Sequence, residues 1–168
     1  MSRDLDHRLS AIRLLAFDVD GTLTDGRIQY VGDEEAQTFH VHDGYGIVRL
    51  VKAGLIVVWI TARGCRATIR RAHELGVHQL VRKSGPKDVV LRRIQKEYGI
   101  GEDETLAMGD DLGDLKMADV SAVFACPADA RPEVKERADV VCEANGGEGA
   151  VRDLADWILR AKEEHASS

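Results

Sequence analysis

The stretch Leu14-Leu15-Ala16-Phe17-Asp18-Val19-Asp20-Gly21-Thr22 decides the reading of this chain. Four apolar residues in unbroken succession read as a strand buried on both faces, as in a parallel sheet. The run then turns abruptly polar, so two carboxylates leave the end of a buried strand. Working outward, the same switch recurs. Residues 55–60 form a second apolar run that ends in Thr61-Ala62-Arg63, and residues 105–108 a further one that ends in Gly109-Asp110-Asp111. Shorter strand candidates are 79–81, 122–124 and 140–141. Helical patterns over 45–53, 65–75, 87–98, 112–118, 132–138 and 149–164 lie between them. Gly54, Gly76 and Gly99 each follow a helical stretch where a left-handed cap is wanted. Such alternation predicts an α/β, doubly wound parallel sheet with helices on both faces.

One segment interrupts the alternation. Between residues 27 and 41, Ile28, Tyr30, Phe39 and Val41 alternate with polar residues around Gly32-Asp33-Glu34-Glu35, which predicts a projecting hairpin over 27–41. No repeat, low-complexity tract or linker divides the chain. One domain over residues 1–168 is expected, with a C-terminal helix and tail over 149–168 that frays from residue 163.

Composition narrows the function classes. The chain has 168 residues, a net charge of −6 and a pI near 5.5, with 44% hydrophobic and 31% charged residues. That balance fits a globular protein and argues against a nucleic-acid or anionic-membrane binder, which would carry a basic surplus. The charged start and the short apolar runs predict neither signal peptide nor membrane span. Cys65, Cys126 and Cys142 are odd in number and lack CxxC spacing, as expected of reduced thiols in a cytoplasmic protein. Trp59, Trp157, Met108 and Met117 read as packing residues. His40 and His42 form an HxH on the predicted second hairpin strand. Without a third ligand at metal spacing they read as histidines near the site mouth, not a zinc centre.

In an open α/β sheet, ligands bind beyond the carboxyl ends of the strands. Asp18 and Asp20, Thr61, Lys87 at the start of a helix, and Asp110, Asp111 and Asp114 all fall at that edge. A group of carboxylates there repels any phosphate unless a cation intervenes, and an all-oxygen set favours Mg²⁺. Asp18 suits nucleophilic attack on phosphorus. Asp20, two residues on, suits general acid and base work. Thr61 and Lys87 suit phosphate binding, and Gly21 and Gly109 allow backbone amides to approach an anion.

Asp18-Val19-Asp20-Gly21-Thr22-Leu23-Thr24-Asp25 resembles the signature of the haloacid dehalogenase-like phosphatases. Thr61, Lys87 and Gly109-Asp110-Asp111-x-x-Asp114 fall in the order of that superfamily's other three motifs. The resemblance implies Asp18 as nucleophile and Asp20 as acid/base. It implies Gly21, Thr61, Ala62, Arg63 and Lys87 at the phosphate or substrate. Mg²⁺ would be held by Asp18, Asp110 and the carbonyl of Asp20, with Asp111 and Asp114 in support.

The interval from Asp20 to Thr61 is filled by the hairpin and one helix, and that from Thr61 to Lys87 by one helix and one strand, so neither holds a cap domain. Thr24-Asp25-Gly26, residues 39–47, Ile60-Thr61-Ala62-Arg63 and residues 146–153 resemble one capless family. It comprises the 3-deoxy-D-manno-octulosonate 8-phosphate phosphatases and relatives acting on nine-carbon sialic-type sugar acid phosphates. That resemblance implies a small-molecule sugar phosphate substrate and a homotetramer. In the tetramer the hairpin of one subunit covers the next subunit's site, and the Gly-rich segment lines a neighbour's site. The chain departs from the family pattern at His42, Glu148 and Lys116. Arg63, Arg66, Arg71, Arg82 and Lys83 are the cations open to a sugar carboxylate. Two other classes share parts of this pattern. A receiver domain carries its acidic pair on the first strand, whereas here the pair is on the fourth. A noncatalytic regulatory subunit would not need both Asp18 and Asp20.

Overall fold

The computed structural model describes residues 3–166. In chain order it contains α1 (Arg3–Ala11), β1 (Leu14–Phe17), β2 (Gln29–Val31), β3 (Glu34–Ala36), α2 (Val41–Lys52), β4 (Ile56–Ile60), α3 (Arg66–Glu74) and β5 (Gln79–Val81). These are followed by α4 (Lys87–Tyr98), β6 (Thr105–Met108), α5 (Leu115–Ala118), β7 (Val123–Cys126), α6 (Pro132–Arg137), β8 (Val140–Val141) and α7 (Ala150–Ala166). Six strands form one parallel sheet in the order β5-β4-β1-β6-β7-β8, and β2 and β3 form a separate antiparallel hairpin. The doubly wound architecture expected from the sequence is present.

Strand periodicity sorts the core into two layers. Leu15, Phe17, Val57, Trp59, Leu106 and Met108 point to the face covered by α1, α2, α3 and α7, where they meet Leu9, Ile47, Leu50, Leu154 and Ile158. Leu14, Ala16, Val58, Ile60, Ala107 and Phe124 point to the other face, against Leu91 and Ile94 of α4, Met117 of α5 and Val134 of α6. The central strand β1 is wholly buried and pairs with β4 on one side and β6 on the other. The chain runs outward from β1 to β4 and β5, then crosses back to β6. That reversal beside β1 opens a crevice at the carboxyl ends, the usual place for a ligand in such a sheet.

Several expectations meet the structure with differences. Gly54, Gly76 and Gly99 have φ of 83°, 71° and 63°, the left-handed values that end α2, α3 and α4. The hairpin is shorter than the 27–41 alternation implies, because Phe39 and Val41 are not strand residues. Phe39 leaves the ladder to stack on Trp59 at 6.0 Å between ring centroids, and Val41 opens α2. His40 therefore caps α2, its Nδ1 accepting from the His42 amide at 3.3 Å, and the HxH pair spans a helix start instead of lying on a strand. Helix α1 was not foreseen, since only Leu5 and Leu9 of its residues pack on the core among many charges, with Ile12 following just after the helix. Helix α7 does not fray at residue 163 but runs to Ala166, with Lys162 donating to the Ser10 carbonyl at 2.7 Å. Residues 167–168 of the expected tail lie outside the described residues. Trp59, Met108 and Met117 are fully buried, and Trp157 is partly buried against the core. Among the described residues no helix is long and apolar enough to cross a membrane.

Candidate active site

The end of β1 supplies the centre of the site. Asp18 continues the ladder through its amide, which donates to the Met108 carbonyl at 2.9 Å. The chain then coils tightly, with Leu23 and Thr24 amides both donating to the Val19 carbonyl. Gly21 makes this turn possible. Its φ is +98°, and a Cβ there would lie 2.2 Å from the Asp110 carboxylate. Thr22 is buried behind the turn and donates to Asp110 Oδ1 at 3.1 Å, tying the ends of β1 and β6. Gly146 and Gly147 press on the same turn from the segment before α7. A Cβ at Gly146 would lie 1.8 Å from the Gly21 carbonyl oxygen, and the Gly147 amide donates to the Thr22 carbonyl at 3.0 Å. The Gly-rich segment thus buttresses this chain's own loop.

Carboxylates gather around Asp18. One oxygen each from Asp18, Asp110 and Asp114 lies within 4.8 Å of the others, and Asp18 and Asp114 are buried. The Lys87 ammonium enters from the start of α4 and donates to Asp18 and to Asp114. Asp114 also accepts the amides of Asp110 and Asp111 at 3.0 and 3.2 Å through Oδ2, so it holds the loop after β6 closed. Asp111 is exposed, and its Oδ1 accepts the Leu112 amide at 2.7 Å.

The electrostatics call for a further cation. Burial, then the neighbouring Asp114 carboxylate, pushes the Asp18 carboxyl well above the ordinary range, against the pull of Lys87. Burial and Asp114 push Asp110 up to about 6. Burial opposes the Lys87 charge, but the Asp18 and Asp114 carboxylates outweigh it and raise its pKa. Three converging carboxylates with one ammonium leave an excess of negative charge in a largely desolvated place. An oxygen-only donor set of this kind fits a hard divalent ion.

Asp20 faces the same crevice from the other side. Its Oδ2 accepts from the Thr61 hydroxyl at 2.8 Å and its Oδ1 from the Gln37 side-chain amide at 2.6 Å. Thr61 is buried at the end of β4 and accepts the Arg63 amide at 3.0 Å. Arg63 makes a two-pronged pair with Glu35 of β3, at 3.1 and 2.8 Å, and Arg66 pairs with Glu34 at 2.7 Å, so the hairpin is latched over the start of α3. A cavity of about 230 Å³ is lined by Asp18, Asp20, Ala62, Arg63, Lys87, Asp110, Asp111, Gly113 and Asp114. Of the residues singled out in the sequence, Asp18, Asp20, Ala62, Arg63, Lys87, Asp110, Asp111 and Asp114 line this cavity, whereas Gly21, Thr61 and Gly109 do not, and of the cations open to a sugar carboxylate Arg63 alone belongs to the lining. Gln37 was missed. A glutamine at the root of a hairpin carries no motif, and only the fold brings it to Asp20.

Residues 76–154 match the haloacid dehalogenase-like hydrolase family. The 3-deoxy-D-manno-octulosonate 8-phosphate phosphatase of Escherichia coli K12 is 35% identical over 164 residues, spanning 96% of this chain and 87% of the relative. This chain belongs to the haloacid dehalogenase-like phosphatases. It is a phosphoric monoester hydrolase of that family. Among solved structures, the 3-deoxy-D-manno-octulosonate 8-phosphate phosphatase of Moraxella catarrhalis, in complex with magnesium, phosphate and KDO, superposes with a TM-score of 0.94. It is 31% identical, over 99% of this chain and 97% of that one. The cobalt-bound deoxy-D-mannose-octulosonate 8-phosphate phosphatase of Haemophilus influenzae gives 0.90 at 34% identity, over 93% and 92%. Relatives with bound Mg²⁺ and Co²⁺, together with the acidic cluster, point to a divalent metal here.

Proposed function

We propose that this phosphatase hydrolyses 3-deoxy-D-manno-octulosonate 8-phosphate to the free sugar acid and phosphate, with Mg²⁺, through a phospho-aspartate on Asp18. The observation that carries the chemistry is the convergence of Asp18, Asp110, Asp114 and Lys87 at the end of the central strand, with Asp20 across the crevice. The substrate is carried over from relatives of that activity that match nearly the whole chain.

Asp18, Asp110 and Asp114 would hold the metal, with the Asp20 carbonyl as the further ligand implied by the family. When bound, the ion offsets the crowded carboxylates and draws charge from the phosphoryl oxygens. Lys87 and the Thr61 hydroxyl bind the remaining oxygens, and Gly21 and Ala62 bring backbone close to them. An Asp18 oxygen attacks phosphorus as the bond to the sugar oxygen breaks, and Asp20 gives that oxygen its proton. Asp20 then takes a proton from water, whose oxygen attacks phosphorus and frees Asp18. Asp111 supports the loop after β6, and Arg63 faces the sugar.

We further propose a single-domain, cytoplasmic enzyme that assembles as a homotetramer, each hairpin covering a neighbour's site. The cavity is open on its own chain, and the hairpin exposes Ile28, Tyr30 and Val31, apolar surface that a neighbouring subunit would bury. Phosphate release from the octulosonate 8-phosphate, with Mg²⁺ and with EDTA, tests the reading. Turnover that needs the metal and disappears in Asp18→Asn supports it. Turnover surviving in Asp18→Asn excludes the proposed nucleophile.

A further inference from the structure

Gln37 ends the hairpin and is half-buried, and neither the motifs nor the proposed phosphate chemistry uses it. Its side chain nevertheless makes a closed set of contacts. Oε1 accepts from the Thr68 hydroxyl and from the Cys65 thiol, the latter at 3.3 Å. Both donors belong to the start of α3, and Thr68 is fully buried. With two donors on its oxygen, the amide can present only its nitrogen to Asp20, and Nε2 donates to Oδ1 at 2.6 Å. The flipped amide would set oxygen against a carboxylate oxygen and leave two donors facing an NH₂ group. The network thus fixes which way Gln37 points.

Its importance follows from the count of protons. Asp20 is held by two side-chain donors, Thr61 on Oδ2 and Gln37 on Oδ1. The Thr61 hydroxyl has a single proton. Once that proton goes to a phosphate oxygen, it no longer restrains Asp20, and Gln37 is the donor that remains. We propose that Gln37 is the positioning residue for Asp20, holding its carboxyl toward the leaving oxygen through the amide clamp formed with Cys65 and Thr68. This rests on the reading of Asp20 as the general acid. It also makes the hairpin root part of the proton-delivery machinery, because Gln37 directly follows β3.

The test uses leaving groups that differ in their need for a proton. kcat/KM for a series of substituted phenyl phosphates, from 4-nitrophenyl to phenyl, reports the first transfer to Asp18. Nitrophenolate departs unaided, whereas phenolate and alkoxide depart poorly without a proton. Gln37→Leu should lose about 10-fold or more on phenyl phosphate and no more than about 2-fold on 4-nitrophenyl phosphate, part of the 10²–10⁴-fold that general acid catalysis supplies. Gln37→Glu keeps the length and shape but replaces the donor with an acceptor. It should steepen the series in the same way and serves if the leucine variant fails to fold. Asp20→Asn is the reference. If Asp20→Asn steepens the series while both Gln37 variants follow wild type, or lose equally on every ester, the positioning role is overturned and the acid role of Asp20 stands. If Asp20→Asn does not steepen it, the acid assignment fails and the proposal fails with it.

Discussion

The Lys87 ammonium contacts the Asp18 carboxylate directly, and reaches Asp114 as well, from the first residue of α4. One cation thus serves two of the three carboxylates that crowd the end of β1 and β6. Its removal leaves a buried cluster without its partner, a change that typically costs about 3–5 kcal/mol. Lys87→Met should lower stability by about 3 kcal/mol in EDTA at pH 7, read by denaturant unfolding, and should reduce kcat by at least about 10²-fold. Mg²⁺ should raise the unfolding midpoint of the variant more than that of wild type. Equal stability of variant and wild type in EDTA would contradict this account of the cluster.

Asp18→Asn removes one of the crowded charges while keeping the shape. The metal-free variant should be at least as stable as wild type, and turnover should fall below detection. Loss of folding in EDTA would show that the charge supports the structure and does not strain it.

The acidic cluster also predicts a pH dependence. Asp110 keeps its proton to about 6 in the folded chain and Asp18 is likewise raised, whereas the unfolded chain releases both near the ordinary value of 3.8. Between those limits the folded state binds more protons, so the contribution of these groups to metal-free stability falls as pH rises through the window. Metal must displace the same protons. Apparent Mg²⁺ affinity should weaken below pH 6, by about tenfold per unit for each proton displaced, with proton release on binding. Calorimetric titration in two buffers of different ionisation enthalpy checks both. A pH-independent affinity between 5 and 7 would contradict it.

How much of this was legible beforehand depended on how local the signal was. The strand at Leu14–Phe17 and its polar end are written in consecutive residues, and the glycines after α2, α3 and α4 are local steric requirements. The carboxylate edge was equally readable, because strand ends in this topology share one side. The far end of the hairpin is less legible. Phe39 and Val41 kept the alternation, but Phe39 is drawn to Trp59, a tertiary contact no period reveals, and His40 starts a helix. Asp114, expected in support, stands in the cluster itself, through a 3₁₀ turn at Leu112–Asp114 that returns it to Asp110 and Asp111. The Gln37 contact joins residues from three separate segments and left no trace in spacing.

The glycines behind the loop offer a mechanical test. Gly146→Ala would drive a methyl group into the Gly21 carbonyl, which is backbone and cannot swing away. The variant should be destabilised by about 1–3 kcal/mol and should lose activity more than tenfold as the Asp18–Thr22 turn shifts. Gly54→Ala, with open space around the Cβ position but φ of +83°, should be destabilised by strain alone and keep its kcat.

The most direct test of the substrate assignment is kcat/KM with Mg²⁺ across a panel of sugar phosphates that includes eight- and nine-carbon keto-deoxy acids and simple esters. A clear preference for 3-deoxy-D-manno-octulosonate 8-phosphate over every other member is the predicted result. Preference for a nine-carbon acid phosphate, or equal turnover of all esters, would contradict the assignment while leaving the phosphoryl-transfer site in place.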